Sequence, residues 1–198
     1  IHEQFGLYFD DSHRTSLRSR LTPRLALLGL GSFEDYYHYL RFAPDRLEEQ
    51  QRMVSHLTNN ETYFFREQPQ LNVFASHVLK EVKERKTRSG EQCLSVLSAG
   101  CSTGEEPLTL AMILFESGYF FWGWELRVTG LDVDGPALDK ARRGLYHQNS
   151  LRAVTPSLLE KHFTRAEDGV RVKEPIRRAV TFRAGNLLDA SSYEGLAP

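Results

Sequence analysis

The chain has 198 residues, long enough for one well-buried domain or for a small domain joined to a medium one, so its core needs no metal or disulfide staple. With 25 Lys and Arg against 26 Asp and Glu, a formal net charge of -1 and 40% hydrophobic residues, the composition is that of an ordinary globular protein and excludes the bulk basic footprint of a nucleic-acid binder. The two cysteines, Cys93 and Cys101, fall in a predicted strand and the loop after it, which suits reduced, structural thiols. The apolar stretch over 107–124 is interrupted by Glu116, Ser117, Gly118 and Gly123 and falls short of a membrane span. The N-terminus lacks the basic flank and apolar run of a signal peptide, so a cytoplasmic location without membrane insertion is expected. The chain begins without methionine and stops in a loop-like stretch, so a fragment, or only the ordered part of a longer chain, is expected.

Over residues 1–59 the pattern is of short helices. Leu17, Leu21, Leu25 and Leu28 follow helical spacing, with Arg14, Arg18, Arg20 and Arg24 largely off that stripe, giving one apolar and one basic side. Pro23 predicts a kink or a split into two helices. Ser32, with Asp35 three residues on, opens a helix through Tyr36, Tyr37 and Leu40, and another over 45–57 is expected to bury Leu47, Val54 and Leu57. After the polar break at Asn59 and Asn60, a long helix is predicted in which Leu71, Phe74, Val78 and Val82 share a face, with a charged end closing at Gly90.

From Cys93 the grammar changes to a strand over 93–99, a glycine loop, a helix from Pro107, a strand over 126–133 and a helix over 136–143. That alternation predicts an α/β, doubly wound, Rossmann-like parallel sheet after the all-α front part. Thr155-Pro156 opens a short helix, and 170–173 and 180–184 read as strands near a turn at Glu167-Asp168-Gly169.

The loop from Ser98 to Pro107 carries the strongest chemical signal. Gly100 and Gly104 let backbone approach a ligand, and the following helix presents unpaired N–H groups; an ordinary strand-to-helix turn would use the same residues. Asp132 closes the second strand, where a carboxylate can accept both hydroxyls of an adenosine ribose. Glu105-Glu106 would repel a pyrophosphate at that helix start, whereas Glu106 suits the methionyl ammonium of S-adenosylmethionine. The pairing therefore favours that cofactor over a nicotinamide dinucleotide. The seven histidines show no ligand spacing, and no metal site is expected.

Four segments, Asn60 through Arg66, Ser98 through Pro107, Leu131-Asp132-Val133-Asp134 with Ala137 through Arg142, and Asn186 through Asp189, resemble in order the signature series of the CheR family of chemotaxis receptor glutamate O-methyltransferases. The resemblance implies a receptor-facing helical domain at 1–59, a connecting segment and helix at 60–90, and an S-adenosylmethionine-binding domain at 91–198 with an antiparallel β subdomain at 163–183 inserted beside the sheet. It further implies that Asn60, Thr62, Arg66, Glu106, Asp132, Asn186 and Leu187 contact the cofactor, with Arg66 also able to position the substrate. Phe64 and Phe65 are expected to pack, and Asp134 to cap the helix opened by Pro136.

The implied reaction is attack of a receptor glutamate carboxylate on the sulfonium methyl, leaving a glutamyl methyl ester and S-adenosylhomocysteine. The implied partners are the cytoplasmic helices of methyl-accepting chemotaxis receptors, which Arg14, Arg18, Arg20 and Arg24 would attract; an ordinary solvated helix face would carry the same arginines. The turn at 166–169 is shorter than in family members that recognise a receptor C-terminal peptide, so no such tether is expected. The family continues into further strands beyond the Asn186-Leu187 motif. Three parallel strands would leave an open edge, so residues 1–198 are expected either to fold poorly alone or to represent only part of the domain. A non-catalytic cofactor- or receptor-binding module, or a small-molecule methyltransferase, are the rival readings.

Overall fold

The computed structural model describes residues 2–120 and 122–196. Within the aromatic stretch at 119–124, Phe121 lies outside the described residues. The front part is helical: α1 (His2–Phe5), α2 (Arg14–Leu28), α3 (Phe33–Phe42) and α4 (Arg46–Leu57). Its core is Leu21, Leu25, Tyr36, Met53, Val54 and Leu57. Ser32 caps α3 by accepting from the Asp35 N–H at 3.0 Å.

Three expectations for this region change. Pro23 does not split α2, which stays continuous over 15 residues; Pro23 and Ser19, whose carbonyl loses its donor, are both exposed, so water can take that bond. Leu47 is 66% exposed on the outer side of α4 instead of buried. Arg24 is not part of a solvated basic face: it is only 8% exposed, and its Nε and Nη2 donate to Glu49 at 3.0 and 2.5 Å, beside the Tyr36 hydroxyl.

The long connecting helix is interrupted. Between α5 (Gln68–Val73) and α6 (Leu79–Ser89) lies a π-helical turn, Phe74–Val78, in which the Leu79 N–H bonds the Phe74 carbonyl. One extra residue in that turn rotates the apolar face. Leu71, Phe74 and Val82 still pack on the core, but Leu79, 1% exposed, takes the place predicted for Val78, which is 40% exposed. Leu79→Ala should therefore destabilise by about 2 to 3 kcal/mol and Val78→Ala by less than about 1 kcal/mol, as urea titration would measure.

The parallel sheet has the order β1 (Cys93–Ala99), β2 (Glu125–Asp132), β6 (Val180–Ala184), with α7 (Glu105–Glu116) and α8 (Gly135–Arg143) in the crossovers. On its other side β1 meets no strand among the described residues, and Leu97 is partly exposed there. A second, antiparallel sheet has the order β3 (Leu145–Tyr146), β5 (Gly169–Val172), β4 (Phe163–Ala166), followed by α10 (Glu174–Arg178). It differs from the expected insert at 163–183: Val180–Ala184 joins the parallel sheet beside β2, and Leu145–Tyr146 supplies the third antiparallel strand. Thr155 caps α9 (Pro156–His162). No helix among the described residues is long and apolar enough to cross a membrane.

Candidate functional site

The carboxyl ends of three parallel strands converge, which is where open α/β sheets bind ligands. After β1 the chain turns through residues 100–104, with the Gly100 and Cys101 N–H groups both donating to the Leu131 carbonyl at 2.8 and 3.0 Å. After β2 come Asp132, Val133 and Asp134; after β6 come Gly185, Asn186 and Leu187. The connecting segment at 59–67 closes over these ends. Phe64 anchors it by edge contacts to Tyr146 and Phe163, at 4.7 and 5.0 Å between centroids, and its N–H donates to the Ser150 carbonyl. Phe65 is buried with its N–H on Thr109 Oγ1 at 3.2 Å, so both phenylalanines pack as expected and Arg66 is left facing outward.

Two adjoining cavities, about 510 and 570 Å³, share Asn59, Gly100 and Ser102. Both fall in the usual size range for small-ligand sites. The first is lined by Thr62, Arg66, Glu106, Cys101 and Thr109, and the second by Asp132, Val133, Asn186, Leu187 and the segment at 5–9. Each cavity thus presents a carboxylate, and Arg66 adds a cation to the first. A larger opening of about 780 Å³ beside the antiparallel sheet contains none of the predicted cofactor residues, so size does not mark the site.

Within the first cavity, Glu106 accepts from Ser98 Oγ at 2.6 Å. Its neighbour Glu105 is buried and turned away, accepting from Thr103 Oγ1 at 2.6 Å and Ser150 Oγ at 2.8 Å. Arg66 is held by its Nη1 bond to the Glu61 carbonyl at 2.9 Å. Cys101 is buried, and burial followed by the nearby Asp132 charge pushes its thiol up to about 12, which keeps it an inert thiol.

In the second cavity, Asp132 accepts the Ser102 N–H at 2.6 Å and the Asp134 N–H at 2.8 Å, one on each carboxylate oxygen. Asn186 donates to the Gln4 carbonyl and accepts from the Leu188 N–H, at 2.8 and 2.9 Å, while the Leu187 side chain is partly exposed. Asn60 lies between the cavities' shared rim and Asp134.

Gly104 is not brought to either cavity. A Cβ there would sit 2.7 Å from Ala141 Cβ and 2.9 Å from Phe182 Cε1, so this glycine serves packing of the turn, and Gly100 alone of the pair faces open space. Asp134 caps α8 through the Ala137 N–H, as expected. Sequence reasoning missed Ser102 and the segment at 5–9. Phe5, Leu7 and Phe9, apolar at every second position, carried the signal of a segment laid on the helical core, with Phe5 ending α1 and Leu7 and Phe9 following it.

Comparison with known proteins fits this arrangement. Residues 1–58 match the family model of the CheR methyltransferase all-alpha domain, and residues 60–196 that of the CheR methyltransferase SAM binding domain. The chain is 33% identical over 197 residues to chemotaxis protein methyltransferase 2 of Vibrio cholerae, covering 99% of this chain and 67% of that protein. It is 35% identical over 193 residues to the chemotaxis protein methyltransferase of Escherichia coli, covering 95% and 63%. It is also 32% identical over 198 residues to the probable biofilm formation methyltransferase WspC of Pseudomonas aeruginosa, of which it spans 45%.

Proposed function

Because the chain belongs to the CheR methyltransferase family, whose S-adenosylmethionine-binding domain it carries, we propose that it moves a methyl group from S-adenosylmethionine to glutamate side chains of chemotaxis receptors. The products are glutamyl methyl esters and S-adenosylhomocysteine. The observation that carries the reading is the pair of joined cavities at the strand ends, one with Glu106 and Arg66, the other with Asp132. Those groups fit the cofactor: Glu106 suits its ammonium, Arg66 its carboxylate, and Asp132, with one acceptor position left on each oxygen, its ribose hydroxyls. Thr62, Asn60, Asn186 and Leu187 complete the walls, and Gly100 leaves the shared rim open.

When bound, the cofactor supplies an electrophilic methyl on a sulfonium. A substrate glutamate, with an ordinary pKa of about 4.3, is ionised at neutral pH and needs no general base. The chain's contribution is then to hold the carboxylate in line with the methyl and to exclude water. Arg66, exposed and tethered to the segment over the first cavity, is the residue proposed to position it.

The helical part is proposed to face the receptor. Arg14 stands in the first turn of α2, where the helix dipole disfavours a cation, so helix stability does not account for it. Arg18 lies over the Phe33 ring and Arg20 donates to the Leu57 carbonyl, but all three are exposed. Labelled S-adenosylmethionine incubated with the full chain and receptor should give base-labile methyl label on receptor glutamates. Arg14→Glu with Arg18→Glu should lower that rate several-fold, most at low salt, with S-adenosylhomocysteine affinity unchanged. Cofactor binding without any label transfer would favour the non-catalytic reading.

A further inference from the structure

Asp134 is buried, 0% exposed, and among the described residues no cation forms an ion pair with it. Its charge is met by donors alone. Oδ1 accepts from Ser55 Oγ at 2.5 Å and the Ala137 N–H at 3.1 Å; Oδ2 accepts from Asn60 Nδ2 at 2.7 Å and Thr58 Oγ1 at 3.0 Å. Four donors fill the acceptor positions of one carboxylate. A helix cap requires one of them. The other three come from the end of α4 and the connecting segment, so something besides capping α8 accounts for them.

The remaining bonds close a ring. Asn60, its amide nitrogen fixed on Asp134, turns its oxygen to accept from Ser102 Oγ at 2.8 Å. The Ser102 N–H donates to Asp132 Oδ2 at 2.6 Å, and the Asp134 N–H returns to Asp132 Oδ1 at 2.8 Å. Ser102 holds a left-handed backbone, φ 48°, which a non-glycine residue keeps only when its surroundings enforce it.

We infer that Asp134 is a positioning residue for the cofactor site: through Asn60 and Ser102 it fixes the Asp132 carboxylate, and through Ser55 and Thr58 it makes that fixation depend on the docked end of α4. The inference rests on the cofactor reading of Asp132 given above. Burial by itself would raise the Asp134 pKa, but the bonds from Ser55, Asn60, the Ala137 N–H and Thr58 together hold it below the ordinary carboxylate value. The group is thus an acceptor-only anion at neutral pH, which dictates the orientation of the Asn60 amide. Removing the α4 donors frees Asp134 to turn, and the freedom passes along the ring to Asp132. The helical part and the cofactor pocket are thereby linked by hydrogen bonds at the residues that hold ribose.

The test is calorimetric titration of S-adenosylhomocysteine into the full chain, its Ser55→Ala/Thr58→Val and Asp134→Ser variants, Asp132→Asn, and Asp132→Asn combined with Ser55→Ala/Thr58→Val. Serine keeps an acceptor for the Ala137 N–H but cannot reach the three side-chain donors. The α4 pair and Asp134→Ser should each weaken binding about tenfold. In the Asp132→Asn background the α4 pair should change affinity less than about twofold, because its effect runs through Asp132. An equal loss in both backgrounds would mean general destabilisation and overturns the positioning role. Parent-like binding by the α4 pair overturns it as well, while leaving the cofactor reading in place. If the parent chain itself does not bind S-adenosylhomocysteine, the cofactor reading and this inference fall together.

Discussion

Glu49→Ala is expected to lower the unfolding free energy by about 3 to 5 kcal/mol, the scale found when one partner of a buried ion pair is removed. Glu49 is almost fully buried; it takes two bonds from the Arg24 guanidinium and one from the Tyr36 hydroxyl at 2.7 Å. Without it a guanidinium and a phenol are left in the helical core with no acceptor. Burial and the Glu49 bond already raise the Tyr36 pKa, so the phenol stays a donor across the accessible pH range. Glu48→Ala, which removes an exposed i,i+4 pair with Arg52, should cost less than about 0.5 kcal/mol. Urea denaturation of both variants decides the matter, and equal midpoints would contradict the buried-pair account. Combining Arg24→Met, Glu49→Leu and Tyr36→Phe should recover much of the loss, since burial of well-packed apolar groups avoids the desolvation penalty. It follows that an Arg24 variant that methylates receptors poorly says nothing about docking unless its stability is matched.

The buried pair was present in the sequence for a reader who placed charges on the helical wheel more strictly. Arg24 is three residues after Leu21 and four before Leu28, so it borders the apolar stripe, and Glu49 is four residues before the buried Met53. A charged residue at such a position requires a buried partner of opposite sign. The strand over 93–99 and the acid closing the next strand were legible because strand, glycine turn and helix follow one another without interruption. Which strand pairs with which was not. Val180–Ala184 and Gly169–Val172 look alike as short β-rich runs, yet one completes a parallel sheet and the other a hairpin. Strand composition records burial and does not record the partner. The π-helical turn was also hidden, because the periodicity of Leu71, Phe74, Val78 and Val82 satisfies an uninterrupted α-helix equally well.

The ring about Asp132 shows the same boundary at the site. Asp134 was recognisable as a cap from its place before Gly135 and Pro136, but its bonds to Ser55 and Thr58 join residues nearly eighty positions apart in the chain. No local pattern encodes that meeting. It arises because Val133 packs against the helical core and carries the adjoining Asp134 to the end of α4.

Gly100 and Gly104 should separate affinity from stability. Both hold positive φ, 78° and 91°, where an added Cβ costs about 1 to 2 kcal/mol. At Gly104 that Cβ also collides with Ala141 and Phe182, and overpacking of this kind adds about 1 to 3 kcal/mol. Gly104→Ala should therefore destabilise by about 2 to 5 kcal/mol in urea and weaken S-adenosylhomocysteine binding only as far as the turn before α7 is displaced. At Gly100 the Cβ meets nothing within 4 Å, and the residue lies where the two cavities join. Gly100→Ala should cost only that about 1 to 2 kcal/mol of stability yet reduce affinity tenfold or more, because its methyl group enters space the ligand would occupy. Gly104→Ala with parent stability and lost binding would make Gly104 a ligand-contacting residue after all, and the packing role derived from its neighbours would be wrong. Gly100→Ala with parent affinity would show that the ligand does not pass the shared rim, and the two cavities would have to be treated as separate sites.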